Sequence, residues 1–262
     1  MVLIRSENGG IAINFVLSST EDDIATVTLQ RGKVNALNEP MVEEIGDLFR
    51  TLETDTGVKS IIFTGTGKFF SFGFDVPEFL QYPKKDFVTY LQKFTNLYTY
   101  LFQFPKPIVA ALNGHTIAGG CMLATACDFR IMASGKGKIA LNEITFGAPV
   151  FAGSAEMLRF CVGSRNAQSI LYSGAMYSAE EACGLGLVDQ VSSEDTLLED
   201  AINVAQGLAE KDSSAFTIIK NLLRKPLAEK MVKHDKDYIL KFADIWYSET
   251  TWKKLEKIKI HE

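Results

Sequence analysis

Residues 113–128 carry the strongest structural signal in this chain: Asn113-Gly114-His115-Thr116-Ile117-Ala118-Gly119-Gly120-Cys121-Met122-Leu123-Ala124-Thr125-Ala126-Cys127-Asp128. They follow an apolar run, Ile108–Leu112, that is typical of a buried strand, and Cys121–Ala126 predicts the first turns of a helix. Glycines at such a junction let another group approach the backbone closely. The first amides of a helix have no partner inside it and carry partial positive charge, so Gly119 N–H is a candidate donor to an oxygen that becomes negative during a reaction. Tight packing of the helix on the strand is the other explanation of the glycine pair.

Length and composition are those of an ordinary soluble protein: 262 residues, of which 47% are hydrophobic and 23% are charged. The net charge of −5 argues against a general attraction to nucleic acid or to an acidic membrane. No apolar run is long enough to span a bilayer, and Met1–Glu7 lacks the pattern of a signal peptide. Lys259–Glu262 does not match a peroxisomal address. We therefore expect a cytoplasmic protein with no membrane partner.

The cysteines and histidines argue against a metal site. None of the four cysteines forms a Cys-x-x-Cys pair, and His115, His234 and His261 are widely separated in sequence. We expect the thiols to be reduced in the cytoplasm and no metal to be bound.

Strand and helix signals alternate through the first two-thirds of the chain. This alternation predicts an α/β fold with a mainly parallel sheet and helical crossovers, and leaves open whether the units form a flat sheet or a spiral. The individual predictions are strands over Ile24–Gln30, Val58–Thr64, Ile108–Leu112, Phe129–Met132 and Lys138–Leu141, and helices from Pro40 onward and over Phe87–Phe102.

Beyond Ser154 the signals are nearly all helical. Ser178-Ala179-Glu180-Glu181 fits a capping box, and Leu187–Val191 predicts a short strand. We divide the chain into a core of residues 1–196 and a helical C-terminal region of residues 197–262. Trp246 and Trp252 in this lysine-rich region predict burial against another surface, such as a second subunit.

Two further segments carry candidate chemistry. Gly67–Asp75 forms a loop in which Gly73 allows an unusual backbone turn, and Leu141–Pro149 places Glu143 among apolar neighbours. A carboxylate in apolar surroundings is a better base, because its charged form is disfavoured. Backbone donors that hold an anion, together with one such carboxylate to move a proton, suit enolate chemistry. Glu143 as a helix cap or a solvated loop charge is the alternative.

The three segments together resemble the crotonase superfamily, also called the enoyl-CoA hydratase/isomerase family. The residues that carry the resemblance are Pro107–Gly114, Ala118–Cys121, Cys127-Asp128, Tyr172–Gly174 and Ala182–Asp189. The resemblance implies a spiral of ββα units, an acyl-CoA substrate, no cofactor apart from the coenzyme A of that substrate, and trimers or dimers of trimers built through the helical C-terminal region. It also implies an oxyanion hole formed by the backbone N–H groups of Phe72 and Gly119. Contacts with coenzyme A or the acyl chain are implied for Ala36, Leu37, Gly73, Phe74, Asp75, Val76, Gly120, Met122 and Phe151.

The sequence departs from the family's hydratases at one catalytic position. Hydratases of the family carry two glutamates, and Met122 stands here in place of the first, whereas Glu143 matches the second. Hydration needs a base for water and an acid for the α-carbon, but one group can carry a proton from one carbon to another. The chain therefore looks most like the Δ3,Δ2-enoyl-CoA isomerases, which convert 3-enoyl-CoA to trans-2-enoyl-CoA through a dienolate.

Several alternatives remain at this point. Within the family, the chain could be a hydratase in which Glu143 alone activates water, or a hydrolase or decarboxylase of a specialised acyl-CoA. A non-catalytic RNA-binding relative is a further alternative, against which the acidic balance argues. A doubly wound nucleotide-binding domain is excluded, because no Gly-x-Gly-x-x-Gly follows the first strand.

Bulky side chains and lysines near these segments bear on the substrate. Phe72 stands where the family usually has a small residue, and Phe151 where hydratases often have glycine. Together with Phe70 and Phe74 they either belong to the core or line the acyl pocket, where they would favour an alicyclic or unusually shaped acyl chain. The lysines that the resemblance makes candidates for the coenzyme A phosphates are Lys33, Lys68, Lys253 and Lys254; solvated charge is the alternative for each.

Overall fold

A computed structural model describes residues 4–5, 11–13 and 15–260 of the chain. The sequence predictions for Met1–Glu7 and Lys259–Glu262 lie partly outside these residues. The strands are β1 (Ile4–Arg5), β2 (Ile11–Ile13), β3 (Val16–Glu21), β4 (Ile24–Leu29), β5 (Ala36–Leu37), β6 (Ser60–Gly65), β7 (Phe69–Ser71), β8 (Gly73–Phe74), β9 (Ile108–Leu112), β10 (His115–Ile117), β11 (Phe129–Ala133), β12 (Ile139–Ala140) and β13 (Gln190–Ser192). The helices are α1 (Glu39–Thr54), α2 (Val76–Phe79), α3 (Lys84–Gln103), α4 (Gly119–Ala126), α5 (Glu143–Phe146), α6 (Ala152–Ser173), α7 (Ala179–Gly184), α8 (Leu197–Ala209), α9 (Ser213–Trp246) and α10 (Glu249–Leu255).

The largest sheet of the described residues has the order β1-β2-β3-β4-β6-β9-β11-β13. In this sheet β4, β6, β9, β11 and β13 run parallel to one another, which confirms the predicted parallel sheet. The antiparallel start, β1 to β4, was not predicted. All five residues of β9 are buried between β6 and β11, so the continuous apolar run reflects a strand covered on both faces.

Short strands form a second layer. β7, β10 and β12 make one parallel sheet, and β5 pairs with β8. Main strands are followed by a short strand of this layer and then by a helix, as in β9-β10-α4 and β11-β12-α5. This repetition confirms the α/β spiral of ββα units, and it brings the starts of α4 and α5 to the same side of the second layer.

Local signals agree with the first helix and with the capping box. The Asn38 side chain accepts from Met41 N–H at the start of α1, and the predicted apolar face, which includes Ile45 and Leu48, is buried. Ser178 and Glu181 form the predicted reciprocal cap of α7.

Two predictions need correction. The strand expected over Leu187–Val191 begins only at Gln190, because the N–H groups of Leu187 and Val188 both donate to Ala182 O in a tight turn after α7. Trp246 is 2% exposed and packs inside its own chain, so its burial needs no second subunit. Trp252 is partly buried, with its ring centroid 5.2 Å from that of Tyr247.

The described residues offer neither a membrane span nor a metal cluster. None of their helices combines the length and apolar character needed to cross a membrane. They contain no group of three or more His, Cys, Asp or Glu side chains placed to hold a metal ion.

Candidate active site

A cavity of about 470 Å³ lies where the starts of α4, α5 and α6 meet the end of α9. Its wall is mostly apolar, and Glu143 is the only carboxylate among the described residues that line it. The lining residues are Phe69, Phe72, Phe74, Val76, His115, Ile117, Ala118, Gly119, Met122, Asn142, Glu143, Thr145, Phe146, Phe151, Met176, Phe242, Trp246 and Ile258. The cavity thus brings together residues from all three sequence segments singled out above.

Glu143 is the first residue of the short helix α5 and is 4% exposed. Neither oxygen of its carboxylate has a hydrogen-bond partner within the part of the chain that the structure describes. Burial raises the pKa of this carboxyl from 4.5 to about 8, and the nearby backbone N–H of the same residue offsets only part of that effect. The side chain is therefore a desolvated carboxyl and not a solvated loop charge.

The backbone turns sharply just before α4. Ala118 has φ 50° and ψ −116°, a conformation that a residue with a β-carbon rarely adopts. Its own N–H donates to Ala140 O (2.8 Å), and its carbonyl accepts from Met122 N–H (3.0 Å), which fixes the turn on both sides. Gly119 then begins the helix, so its N–H has no acceptor within that helix.

The prediction that Phe72 supplies an oxyanion donor is wrong. Phe72 N–H donates to Val34 O at 2.9 Å and is already used by the backbone. Phe72 does line the cavity. Two residues later, Asp75 N–H donates to Leu37 O at 2.9 Å, across to the neighbouring short strand. Because successive amides of an extended strand point to opposite edges, Phe74 N–H points away from that strand.

Phe74 lies beside Gly119. A β-carbon on Gly119 would lie 3.2 Å from two atoms of the Phe74 ring. A β-carbon on Gly120 would lie 2.6 Å from Ser71 O, so the second glycine is required for the approach of α4 to β7. Close packing, one of the two explanations that the sequence left open for the glycine pair, is therefore observed.

The other residues that were predicted to contact the ligand lie in two different places. Phe74, Val76, Met122 and Phe151 line the cavity, whereas Ala36 and Asp75 line an adjoining groove of about 400 Å³. Asp75 is held there by Arg31 at 2.7 Å.

The remaining residues that were predicted to contact the ligand instead take part in strand pairing and close packing around the site. Leu37 and Gly73 form part of the β5–β8 pair, and Gly120 is packed on Ser71. These residues shape the site without lining its cavity.

The four lysines that were candidates for the coenzyme A phosphates lie in different places. Lys33 and Lys68 line a groove of about 690 Å³ that shares Phe69 and Phe72 with the cavity. Lys259, which the sequence did not single out, lines the same groove. Lys253 is instead paired with Glu249 on the exposed side of α10, and Lys254 lies close to Gly147 at the end of α5.

The C-terminal region contributes a wall that the sequence did not assign to the site. Phe242 stacks on Phe151 with centroids 4.4 Å apart and an interplanar angle of 14°. Trp246 follows one helical turn later and also lines the cavity. Their spacing of four residues was a detectable signal of a shared helix face, but nothing local indicated which surface that face covers.

Comparisons with known proteins agree with this geometry. A family model described as enoyl-CoA hydratase/isomerase matches residues 19–247. A probable enoyl-CoA hydratase of Bacillus subtilis (strain 168) is 35% identical over 214 residues, which covers 80% of this chain and 82% of that protein. The mitochondrial enoyl-CoA delta isomerase 1 of Mus musculus is 31% identical over 253 residues, which covers 93% of this chain and 87% of that protein.

Solved structures give the same result. Human mitochondrial Δ3-Δ2-enoyl-CoA isomerase superposes with a TM-score of 0.88 and 27% identity, over 93% of this chain and 96% of that one. An enoyl-CoA hydratase/isomerase from Xanthobacter autotrophicus Py2 superposes with a TM-score of 0.84 and 27% identity, over 94% and 93% of the two chains.

Proposed function

The chain belongs to the enoyl-CoA hydratase/isomerase family of the crotonase superfamily, and from that membership we propose that it converts a 3-enoyl-CoA to the trans-2-enoyl-CoA. One observation carries the proposal: Glu143 is the only carboxylate among the described residues that line the cavity. Met122 stands where the family's hydratases have the first of their two glutamates. A single carboxylate suffices to move one proton between two carbons, whereas hydration uses an acid and a base.

The thioester oxygen binds between Gly119 N–H and Phe74 N–H. Gly119 N–H is supported by its place at the start of α4, where the helix dipole adds partial positive charge. Phe74 N–H replaces Phe72 N–H in this role, because Phe72 N–H is committed to Val34 O. Both donors are main-chain groups and so cannot be removed by changing a side chain; loss of one such donor typically costs about 10²–10³ in rate.

Glu143 in its carboxylate form takes a proton from C2. The electron pair of that C–H bond moves toward the thioester carbonyl, which gives a dienolate with negative charge on the oxygen held by the two amides. The carboxylic acid of Glu143 then returns the proton to C4, and the electrons re-form the carbonyl and a double bond between C2 and C3. The raised pKa of Glu143 makes its carboxylate a stronger base for the first step.

Coenzyme A lies in the adjoining grooves. We assign its phosphates to the groove of Lys33, Lys68 and Lys259, because that groove shares the lining residues Phe69 and Phe72 with the cavity. Ala36 and Asp75, in the other groove, lie against the remainder of the coenzyme. Lys253 is assigned no role here, since it pairs with Glu249.

A hydratase is the second candidate. The relative from Bacillus subtilis carries that name. In addition, Asn142 lines the cavity, and its Oδ1 is a buried acceptor without a partner in the described residues. An acceptor next to Glu143 in sequence is suited to hold a water molecule.

We also propose that copies of the chain associate through α9. Four large apolar side chains of this helix are between 57% and 73% exposed: Ile218, Ile219, Leu222 and Leu223. Contiguous apolar surface of this kind marks interaction sites. A trimer in analytical ultracentrifugation that becomes a monomer in Leu222→Glu supports this interface; a wild-type monomer rules it out.

The reaction is tested with 3-enoyl-CoA and 2-enoyl-CoA esters of several chain lengths. Isomerisation gives the absorbance of a conjugated thioester without a change in mass, whereas hydration of the 2-enoyl ester adds the mass of water. Glu143→Gln should lose about 10²–10⁴ in isomerisation rate, and Glu229→Gln, at an exposed position on α9, is the matched control. Near-normal isomerisation by Glu143→Gln would sink the proposal, and water addition as the main activity of the wild type would favour the hydratase.

A further inference from the structure

The indole N–H of Trp246 has no partner within the described residues. Trp246 is the last residue of α9, is 2% exposed and lines the cavity. Its Nε1 is buried and finds no hydrogen-bond acceptor anywhere in the described parts of the chain. An indole N–H only donates, so this group needs an acceptor beyond the described residues, such as an oxygen of a bound ligand.

Two rings that pack beside Trp246 are hydrocarbon. Its ring lies 4.7 Å from Phe87 and 6.0 Å from Phe242, measured between centroids, and neither ring has a conventional acceptor. A buried donor without a partner loses its hydrogen bond to water and gains none in return, which destabilises the protein. Phenylalanine at this position would supply a similar aromatic surface without an unpaired donor, and therefore without this cost.

A row of rings connects Trp246 to the oxyanion site. Phe74, whose N–H is the assigned donor, lies 6.2 Å from Phe151. Phe151 lies 4.4 Å from Phe242, and Phe242 lies 6.0 Å from Trp246. An acyl chain whose thioester oxygen is held at Phe74 and Gly119 can therefore run along apolar surface toward the indole.

The charges of the cavity lining restrict which chemical group of a ligand can accept a hydrogen bond from the indole N–H. No lysine or arginine is found among the described residues that line the cavity, and His115 is the only cationic type present. Burial and the nearby Lys138 lower the pKa of His115, so its neutral form is favoured. A carboxylate on the distal acyl chain would have no compensating charge there, which favours a neutral oxygen.

We propose that the substrate is an enoyl-CoA whose acyl chain carries a neutral acceptor oxygen, in a keto, hydroxyl or ether group, and that Trp246 Nε1–H donates to it. This assignment rests on the proposed function for the position of the thioester. It makes Trp246 a specificity-determining residue that distinguishes oxygenated chains from plain hydrocarbon chains.

Binding tests the assignment without turnover. The probes are saturated acyl-CoA esters of matched length: a hydrocarbon, a series with a keto oxygen moved along the chain, and an ω-carboxylate. The best keto probe should bind the wild type about tenfold more tightly than the hydrocarbon, as expected for one hydrogen bond to a previously unpaired donor. Trp246→Phe should lower affinity for the keto probe about tenfold more than affinity for the hydrocarbon.

Fluorescence gives a second readout on a correctly folded protein. The chain has two tryptophans, so Trp252→Phe leaves Trp246 as the sole indole. Trp252 donates to Glu256 at 3.1 Å and does not line the cavity. Trp252→Phe is therefore also the matched control for Trp246→Phe. In Trp252→Phe, the keto probe should shift the emission of Trp246 to longer wavelength, and the hydrocarbon probe should not.

Three results overturn the inference: equal affinity for keto and hydrocarbon probes, equal losses for both in Trp246→Phe, or tightest binding of the ω-carboxylate. None of these results contradicts isomerisation, because that activity is measured separately on a plain 3-enoyl-CoA. Conversely, a protein that binds the keto probe as described and isomerises no 3-enoyl-CoA would contradict the proposed function while leaving the role of Trp246 intact.

Discussion

Gly73 and Gly119 meet backbone to backbone. A β-carbon on Gly73 would lie 3.1 Å from the amide nitrogen of Gly119 and 2.9 Å from Ile117 O. Gly73 also has φ +94°, which disfavours any residue with a β-carbon. This contact sets the spacing between the loop that carries Phe74 N–H and the helix start that carries Gly119 N–H.

We expect Gly73→Ala to remove most activity. The added methyl group collides with the turn before α4 and separates the two assigned donors, so the rate should fall by about 10² or more, as when one donor is lost. Gly163→Ala is the control, because Gly163 also has positive φ (+73°) but a β-carbon there would meet nothing within 4 Å. Steady-state isomerisation kinetics and thermal melts compare the two; equal losses in both variants would show that backbone strain alone is responsible.

The pH dependence of catalysis should follow Glu143. The pKa of Glu143 is raised to about 8 by burial, and the carboxylate form is the base. We expect kcat/KM to rise about tenfold per pH unit below pH 8 and to level off above it, since this ratio reports ionisation of the free enzyme. The measurement is kcat/KM from about pH 6 to about pH 9.5, and a profile that is flat down to the lower limit would contradict the assigned base.

The free energy of unfolding should fall as the pH rises, whereas kcat/KM should increase. Because the folded state holds the Glu143 proton between pH 4.5 and about 8 while the unfolded state has lost it, stability falls as the pH rises through this window. Glu143→Gln removes this loss, so it should be more stable than the wild type above pH 8, by at most about 5 kcal/mol at about 1.4 kcal/mol per pH unit. Urea unfolding at about pH 5 and about pH 9 measures the difference; a variant that gains no stability relative to the wild type at the higher pH would disprove it.

Local patterns were sufficient to predict much of the framework. The buried run Ile108–Leu112, the apolar face of α1 and the cap at Ser178 depend on neighbours within a few residues, and the structure has all three. Glu143 and Gly119 were identified in the same way, as a carboxylate in apolar sequence and a glycine at a helix start. Both line one cavity.

Contacts between distant segments were not predictable from such patterns. Phe72 was given the wrong role because its N–H is used by Val34 O, on another segment of the chain. Nothing in the type of Ala118 indicated its positive φ, which tertiary packing imposes. Trp246 was expected to face another surface, but α9 folds back on α3 and places the indole against Phe87.

The packing of the long helix α9 against the rest of the chain, and with it the stability of the fold, should depend on one buried carboxylate. Asp235 is 4% exposed, accepts from Gly153 N–H at 2.9 Å and also bonds the Tyr98 hydroxyl. Asp235→Ala leaves both donors buried without an acceptor, so the free energy of unfolding should fall by about 2–4 kcal/mol.

Asp237→Ala is the control for that change, because Asp237 is exposed on the same helix and its loss should alter stability by less than about 0.5 kcal/mol. Chemical denaturation of both variants measures the difference, and comparable stability of the two would show that the Asp235 cluster contributes little.

Replacement of the cavity-lining Met122 by glutamate tests why the chain is proposed to isomerise rather than hydrate. Met122 is 1% exposed and lines the same cavity as Glu143, so Met122→Glu restores a second carboxylate at the position that the family's hydratases use. We expect water addition to a 2-enoyl-CoA to appear, detected as the added mass of water. Met122→Gln has nearly the same shape without the charge and should add none. If both variants keep the wild-type fold by circular dichroism and neither hydrates, the missing carboxylate is not what separates this site from a hydratase.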